Sequence, residues 1–165
     1  MAEPKRKRMR LAGYDYSRPG AYFVTVCTRE RKCILSRIIV GADALGGPMV
    51  MLTDAGRIAE KHLLTTDRIK GLHVEKYVIM PNHVHMILMI EREDGPPEAS
   101  APTSALLPQA IGIWKRLVHH ELGQDIFQRS YHDHVIRDEN DFRAIWEYIE
   151  TNPARWAEDR YYHND

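Results

Sequence analysis

The chain has 165 residues, 44 % apolar and 28 % charged, with 23 basic side chains balancing 23 acidic ones. One soluble domain with an ordinary core is expected from that length and balance. No run approaches about 18 apolar residues, no apolar stretch follows the basic N-terminus, and Cys27 and Cys33 are too few for a disulfide framework, so a membrane span, a secretory signal and a stapled extracellular scaffold are not expected, whereas a reduced cytoplasmic protein is.

A net charge of zero speaks against a uniformly phosphate-binding surface, but the charge is unevenly placed. Lys5, Arg6, Lys7, Arg8, Arg10, Arg18, Arg29, Arg31 and Lys32 face only Glu3, Asp15 and Glu30 in the first part of the chain. A basic end on a neutral protein suits a phosphate-binding face. Residues 1–19, polar and basic with Pro4 and Pro19, form an arm. Residues 21–28, β-branched and aromatic after Gly20, predict a strand. Ile34 to Val40 continue as a turn and a short apolar segment, and Gly41, Gly46, Gly47 and Pro48 mark a loop. Asp54 to about Thr65 predicts a helix with Ile58, Ala59 and Leu63 inward and Thr53 or Asp54 as cap. Val74–Met80 and Val84–Ile90 predict two strands joined at Pro81, Asn82 and His83. Residues 92–104 have the composition of a flexible loop.

Leu107 to Leu122 predicts a second helix, with Ile111, Trp114, Leu117 and Val118 on one side and Lys115, Arg116 and His119 off it. Phe127 to Ile136 can form a strand. Asp138 to about Asn152 predicts the last helix, with Phe142, Ile145, Trp146 and Ile149 as its apolar stripe and Pro153 ending it. Strands mixed with helices at this length predict an α+β domain with a largely antiparallel sheet covered by helices.

Three stretches can carry chemistry. In Met80-Pro-Asn-His-Val-His-Met-Ile-Leu88 the alternation of a strand puts His83 and His85 on one face, where two imidazoles can ligate one divalent ion. His132 and His134 repeat the spacing on another predicted strand and are the rival pair, more simply read as a polar strand face. In Trp146-Glu-Tyr-Ile-Glu-Thr-Asn-Pro153, Tyr148 and Asn152 are four residues apart and share a helix face. A tyrosine oxygen can attack a phosphodiester, and an amide oxygen can add a hard ligand beside two imidazoles. Alone, Tyr148 is as well read as a half-buried helix tyrosine and Asn152 as a cap.

Taken together, these stretches resemble a known family. Pro81-Asn-His-Val-His-Met-Ile87 is similar to the His-hydrophobe-His signature of the HUH single-strand nucleases, and Glu147-Tyr-Ile-Glu-Thr-Asn-Pro153 to the nucleophile region of their single-tyrosine transposase branch. The segments 13–28 and 130–137 also resemble that branch, with Phe127-Gln128 where the family often has Trp-Gln. The likeness extends from about Arg10 to Arg155 and is greatest to the bacterial transposases associated with repetitive extragenic palindromes. It implies a ferredoxin-like fold and a catalytic domain over residues 20–155 followed by a tail, 156–165. It implies Mg²⁺ or Mn²⁺ held by His83 and His85, with Asn152 as third ligand and Tyr148 as nucleophile. The implied activity is cleavage and strand transfer of single-stranded DNA near a hairpin through a 5′-phosphotyrosine. On that basis the candidate DNA contacts are Arg6, Lys7, Arg8 and Arg10, then Arg18, Lys115 and Arg116, and Tyr14, Tyr16 or Tyr22 could stack on bases. Monomer and homodimer both stay open. So do two other functions: a hairpin-binding regulator without turnover, and an unrelated metal hydrolase using His83, His85 and Asp133 or Glu147. Tyr131 and Tyr77 are the substitute nucleophiles.

Overall fold

In this computed structural model the described residues are 18–41, 46–91 and 105–162. The β-branched and aromatic run after Gly20 forms β1 (Gly20–Cys27), the spine of the molecule. A small antiparallel ribbon follows, β2 (Ser36–Ile39) and β3 (Met49–Leu52), where the sequence suggests only a turn and loop. It leads into α1 (Asp54–Thr65). Then come β4 (Leu72–Ile79), β5 (His83–Ile90), α2 (Leu106–Leu122), β6 (His132–Ile136) and α3 (Glu139–Thr151).

The main sheet has the order β4-β5-β1-β6, and every neighbouring pair is antiparallel. Leaving the ribbon aside, the chain runs strand, helix, two strands, helix, strand, with the first and third strands central. That is the ferredoxin-like arrangement, here with α3 added at the end. The final strand is shorter than the sequence suggests. Phe127 makes only an isolated bridge to Thr28, because Lys115 Nζ donates to the carbonyls of Gln128 (2.7 Å), Arg129 (3.4 Å) and Ser130 (3.2 Å) and holds them out of the ladder.

Strand alternation sorts the two faces. Tyr22, Val24 and Val26 of β1 and Val84, Met86, Leu88 and Ile90 of β5 point to one side and pack with Ala59 and Leu63 of α1 and with Leu107, Ile111, Trp114 and Val118 of α2. Trp114 lies fully inside and its Nε1 donates to Ala59 O at 2.9 Å, which joins the two helices. Leu117, expected on the inward stripe, is 39 % exposed, since α2 turns it past the edge of α1. The start of α1 is fixed by Thr53, whose Oγ1 accepts from Gly56 N at 3.1 Å. Gly56 is obligatory at this crossing, because a Cβ there would stand 1.9 Å from Leu35 O.

The other side of the sheet is smaller. Ala21 and Phe23 of β1 and Ile87 and Met89 of β5 meet Phe142, Ile145, Trp146 and Ile149, the predicted apolar stripe of α3. Asp138 caps that helix by accepting from Asp141 N at 2.9 Å, and Asn152 is its C-cap. The stripe lies along the sheet so that the last turn of α3 stands over His83 and His85.

Candidate metal centre and nucleophile

Cross-strand pairing places Cys27 opposite His83 and Thr25 opposite His85. Both imidazoles therefore point to the α3 side, and both are fully buried. Their ring centroids are 4.4 Å apart. Each ring is held by its Nδ1. Thr25 Oγ1 lies 2.7 Å from His85 Nδ1, and His83 Nδ1 donates to Asn82 Oδ1 at 2.8 Å. The orientation of the Asn82 amide is fixed by its other end, where Nδ2 donates to Arg31 O (3.1 Å) and Tyr161 O (2.7 Å). Asn82 can thus only accept from His83, so the Nδ1 of His83 carries the proton and its Nε2 presents a lone pair. Second-sphere bonds of this type set which nitrogen a metal-binding histidine offers.

Three further groups converge on those nitrogens. Tyr148 Oη is 3.3 Å from His85 Nε2, and the residue is 38 % exposed, so Tyr148 borders both the centre and solvent. Asp159 Oδ2 is 4.0 Å from His83 Nε2. Asn152 Nδ2 donates to Asp159 Oδ2 at 2.6 Å, and Asp159 Oδ1 accepts from Tyr161 N at 2.7 Å. Two buried atoms at the centre have no hydrogen-bond partner, His83 Nε2 and Asn152 Oδ1. An orphaned buried polar atom is costly. His83, His85 and Asp159 have ligand atoms all within 4.8 Å of one another. Two imidazole nitrogens and a carboxylate form a mixed N/O donor set suited to a divalent ion. These residues can hold a metal.

The electrostatics agree. Burial pushes the pKa of His83 well down despite the opposing pull of Asp159. Burial, and then the neighbouring His83, lower His85 also. Both rings are neutral at neutral pH. Burial chiefly, and then the Asp159 charge, push the Tyr148 phenol up to about 12. At that value only about one molecule in 10⁵ has the phenolate at pH 7.

His83, His85, Tyr148 and Asn152, named from the sequence, are brought together. The remaining candidates separate from them. His134 is occupied by Asp141 at 2.8 Å, and His132 is exposed on the edge strand, so the rival histidine pair forms no ligand cluster. Asp133 pairs with Val24 and shares its face, across the sheet from the histidines. Tyr77 Oη donates to Glu60 at 2.9 Å, and Tyr131 packs into the core on the α1–α2 side. Arg18 is exposed, and its carbonyl accepts from Tyr22 Oη at 2.7 Å, which places Tyr22 in the core. Lys115 fastens residues 128–130 and Arg116 is exposed, both on the helix across the sheet from Tyr148. Arg6, Lys7, Arg8, Arg10, Tyr14 and Tyr16 lie outside the described residues, as does the loop 92–104. No helix among the described residues is long and apolar enough to cross a membrane.

Nothing in the sequence singles out Asp159, Tyr161, Thr25 or Asn82. Asp159 and Tyr161 follow a 3₁₀ turn, Trp156–Glu158, in the segment expected to be a tail. That turn carries the chain back over the centre, where the Tyr161 ring lies 4.7 Å from His83 and is buried.

A solved structure of the REP-associated tyrosine transposase bound to a REP hairpin superposes with a TM-score of 0.60, covering 94 % of this chain and 74 % of that one at 21 % identity. The chain has that fold. A candidate transposase from Deinococcus radiodurans gives a TM-score of 0.45 at 17 % identity, over 86 % of this chain and 97 % of that one, too loose to add to the comparison. In sequence, an uncharacterized protein of Haemophilus influenzae is 28 % identical over 95 % of this chain and 93 % of its own length. No family model matches.

Proposed function

We infer that the chain is a transposase-like member of the HUH single-tyrosine nucleases, a divalent-metal-dependent endonuclease and strand transferase acting on single-stranded DNA at hairpins. One observation carries the reading: the hydroxyl of a partly exposed tyrosine stands 3.3 Å from one of two buried histidines whose ligand atoms lie within 4.8 Å of one another and of Asp159. The shared fold supports it, and the hairpin bound by that transposase supports a DNA hairpin as the substrate class.

His83 and His85 would hold the ion through Nε2, with Asn152 Oδ1 and Asp159 completing the donor set. Bound there, Mg²⁺ or Mn²⁺ would offset charge on the scissile phosphate and favour the phenolate. Tyr148 Oη attacks the phosphorus, the bond to O3′ breaks, and the 5′ phosphate stays on the tyrosine. The phenol proton is lost to solvent and the departing 3′ oxygen takes one up. Attack by another 3′ hydroxyl reverses the step and joins strands, with no nucleotide cofactor because the ester bond is conserved. Asp133 faces away from the centre, which disfavours a hydrolase built on it. The catalytic domain, expected over residues 20–155, would reach on to Asp159, and residues 1–19 would be an arm whose Arg6, Lys7, Arg8 and Arg10 follow phosphates.

Wild type and Tyr148→Phe are incubated with labelled single-stranded hairpin DNA and Mn²⁺ or Mg²⁺ and run on a denaturing protein gel. A metal-dependent adduct in wild type alone is expected. Cleavage persisting in Tyr148→Phe would remove the tyrosine from the chemistry, and binding without cleavage across a hairpin panel would leave only a regulator.

A further inference from the structure

Beside the metal centre stand two guanidiniums that the reaction above does not use. Arg31 follows β1 and Arg160 follows the C-terminal turn, 129 positions apart in the chain. They meet at one aromatic ring. The Arg31 Cζ is 5.3 Å and the Arg160 Cζ 4.7 Å from the centroid of Tyr161, whose other neighbours are His83 at 4.7 Å and His85 at 6.0 Å. The guanidiniums therefore stand one ring away from the imidazoles.

Both are anchored by groups that leave their charge uncompensated. Arg31 Nη1 donates to Arg160 O at 3.4 Å, and Arg160 Nη2 donates to Tyr161 Oη at 2.6 Å. Among the described residues neither is ion-paired with a carboxylate, whereas neighbouring Arg29 is bound to Asp125 and Lys32 to Glu30. Both residues are exposed. Backbone placement is unusual too. Glu30 and Arg31 have φ of 54° and 56°, consecutive left-handed positions without glycine. Such positions cost about 1–3 kcal/mol each and gather at functional sites. Here the strained turn aims the Arg31 carbonyl at Asn82 Nδ2 and its guanidinium at Tyr161.

We propose that Arg31 and Arg160 form a phosphate clamp that holds the phosphodiester next to the scissile one, so that the strand passes over the two guanidiniums that cover Tyr161 on its way to Tyr148. This rests on the nuclease reading and names the part of the strand that this pair holds. Planar guanidiniums suit the task, since each can give two parallel hydrogen bonds to a phosphate. It also explains how a chain without net positive charge grips a polyanion: the excess is local.

The test measures fluorescence anisotropy of a labelled single-stranded hairpin on the full chain with Mn²⁺, in a Tyr148→Phe background, at several salt concentrations. Variants are Arg31→Gln, Arg160→Gln, the double variant, Arg31→Lys, and Arg143→Gln as a control on α3. Each glutamine variant should weaken binding about tenfold and lower the salt slope by about 0.7–1, with the double variant losing about twice that slope. Arg31→Lys should keep the slope and lose affinity, which separates lost charge from lost folding; melting curves accompany every variant. The same substitutions with Tyr148 intact are scored for the covalent adduct. An adduct in wild type together with unchanged slopes in the glutamine variants would overturn the clamp and leave the nuclease standing. Lower slopes without any adduct would keep the clamp and remove Tyr148 as nucleophile. A wild type that binds no single strand would overturn both.

Discussion

Thr25→Val isolates the part of the centre that orients a ligand without touching the substrate. Valine matches threonine in shape but has no hydroxyl, so the 2.7 Å bond to His85 Nδ1 disappears. His85 is fully buried and Thr25 is 1 % exposed, so water cannot take the place of the lost partner. Leaving a buried ring nitrogen unsatisfied should cost the metal-free protein about 1–3 kcal/mol. The second consequence is on the metal. Ligation through Nε2 requires the proton of His85 on Nδ1, where Thr25 Oγ1 can accept it; without Thr25 the proton is free to sit on Nε2, where Tyr148 Oη can accept it, and that tautomer cannot ligate through Nε2. Loss of such a supporting bond typically lowers metal affinity about 10–100-fold. The assay is calorimetric titration with Mn²⁺, paired with urea unfolding in EDTA, for wild type, Thr25→Val and Thr25→Ser. Serine keeps the hydroxyl and should keep most of the affinity, while paying only for a lost methyl group. If valine binds Mn²⁺ as wild type does, His85 is not held through Nδ1 as described, and the assignment of Nε2 as ligand atom fails with it.

Two further outcomes follow from packing and burial. Gly56→Ala puts a methyl group 1.9 Å from Leu35 O, a backbone atom that cannot step aside, so a loss of at least about 1–3 kcal/mol is expected from urea midpoints; a variant as stable as wild type would show that α1 can slide away from residue 35. Burial pushes the Cys27 thiol up to about 11, from an ordinary 9.0. At pH 8 Cys27 should therefore react with a disulfide reagent only on unfolding, while the less buried Cys33 reacts in the native protein. Because the folded state keeps a proton that the unfolded state loses, Cys27 should also cost stability between pH 9 and 11, by about 2–3 kcal/mol relative to Cys27→Ala. An alkaline slope unchanged in that variant would count against it.

What the sequence discloses here is what one strand or one helix can align by itself. His83 and His85 share a face because a strand alternates, and Tyr148 and Asn152 because a helix repeats, so neither pair needs the tertiary fold to be seen. Their meeting depends on the apolar stripe of α3 being long enough to lie along the sheet, which Phe142, Ile145, Trp146 and Ile149 also disclose. The partners that tune the centre come from elsewhere. Thr25 reaches His85 through strand register, 60 positions away, and Asn82 is fixed by the carbonyls of Arg31 and Tyr161. Asp159 arrives on a 3₁₀ turn without periodicity or cap signal. The β2–β3 ribbon was hidden for a related reason: its strands have four residues each, and Gly41 and Gly46, read as loop punctuation, mark the flanks of its connection with φ of 72° and 75°. The sequence extends the last strand back to Phe127 because the lysine that holds the carbonyls of residues 128–130 belongs to α2 and leaves no local signal.

The charges around the centre link its two proposed ligands. With both imidazoles neutral, the carboxylate of Asp159 is the one formal charge among the donor side chains, and it faces inward with its side chain 1 % exposed. A phosphate arriving there would meet that carboxylate; a divalent ion would reverse the sign of the local field. Neighbouring charges near a protein surface interact by up to about 4 kcal/mol at 4 Å, and couplings measured between sites usually amount to about 1–3 kcal/mol. Mn²⁺ should therefore raise the affinity of Tyr148→Phe for a single-stranded hairpin about 5–150-fold over EDTA, and the hairpin should raise the affinity for Mn²⁺ by the same factor, since the coupling is reciprocal. Anisotropy gives the first factor and calorimetry the second. Asp159→Asn should shrink both, because with the carboxylate gone the phosphate no longer needs the ion to mask it. A strand affinity indifferent to Mn²⁺ would put the bound phosphate away from His83 and His85, and Tyr148 would then be facing a metal site with no substrate in it.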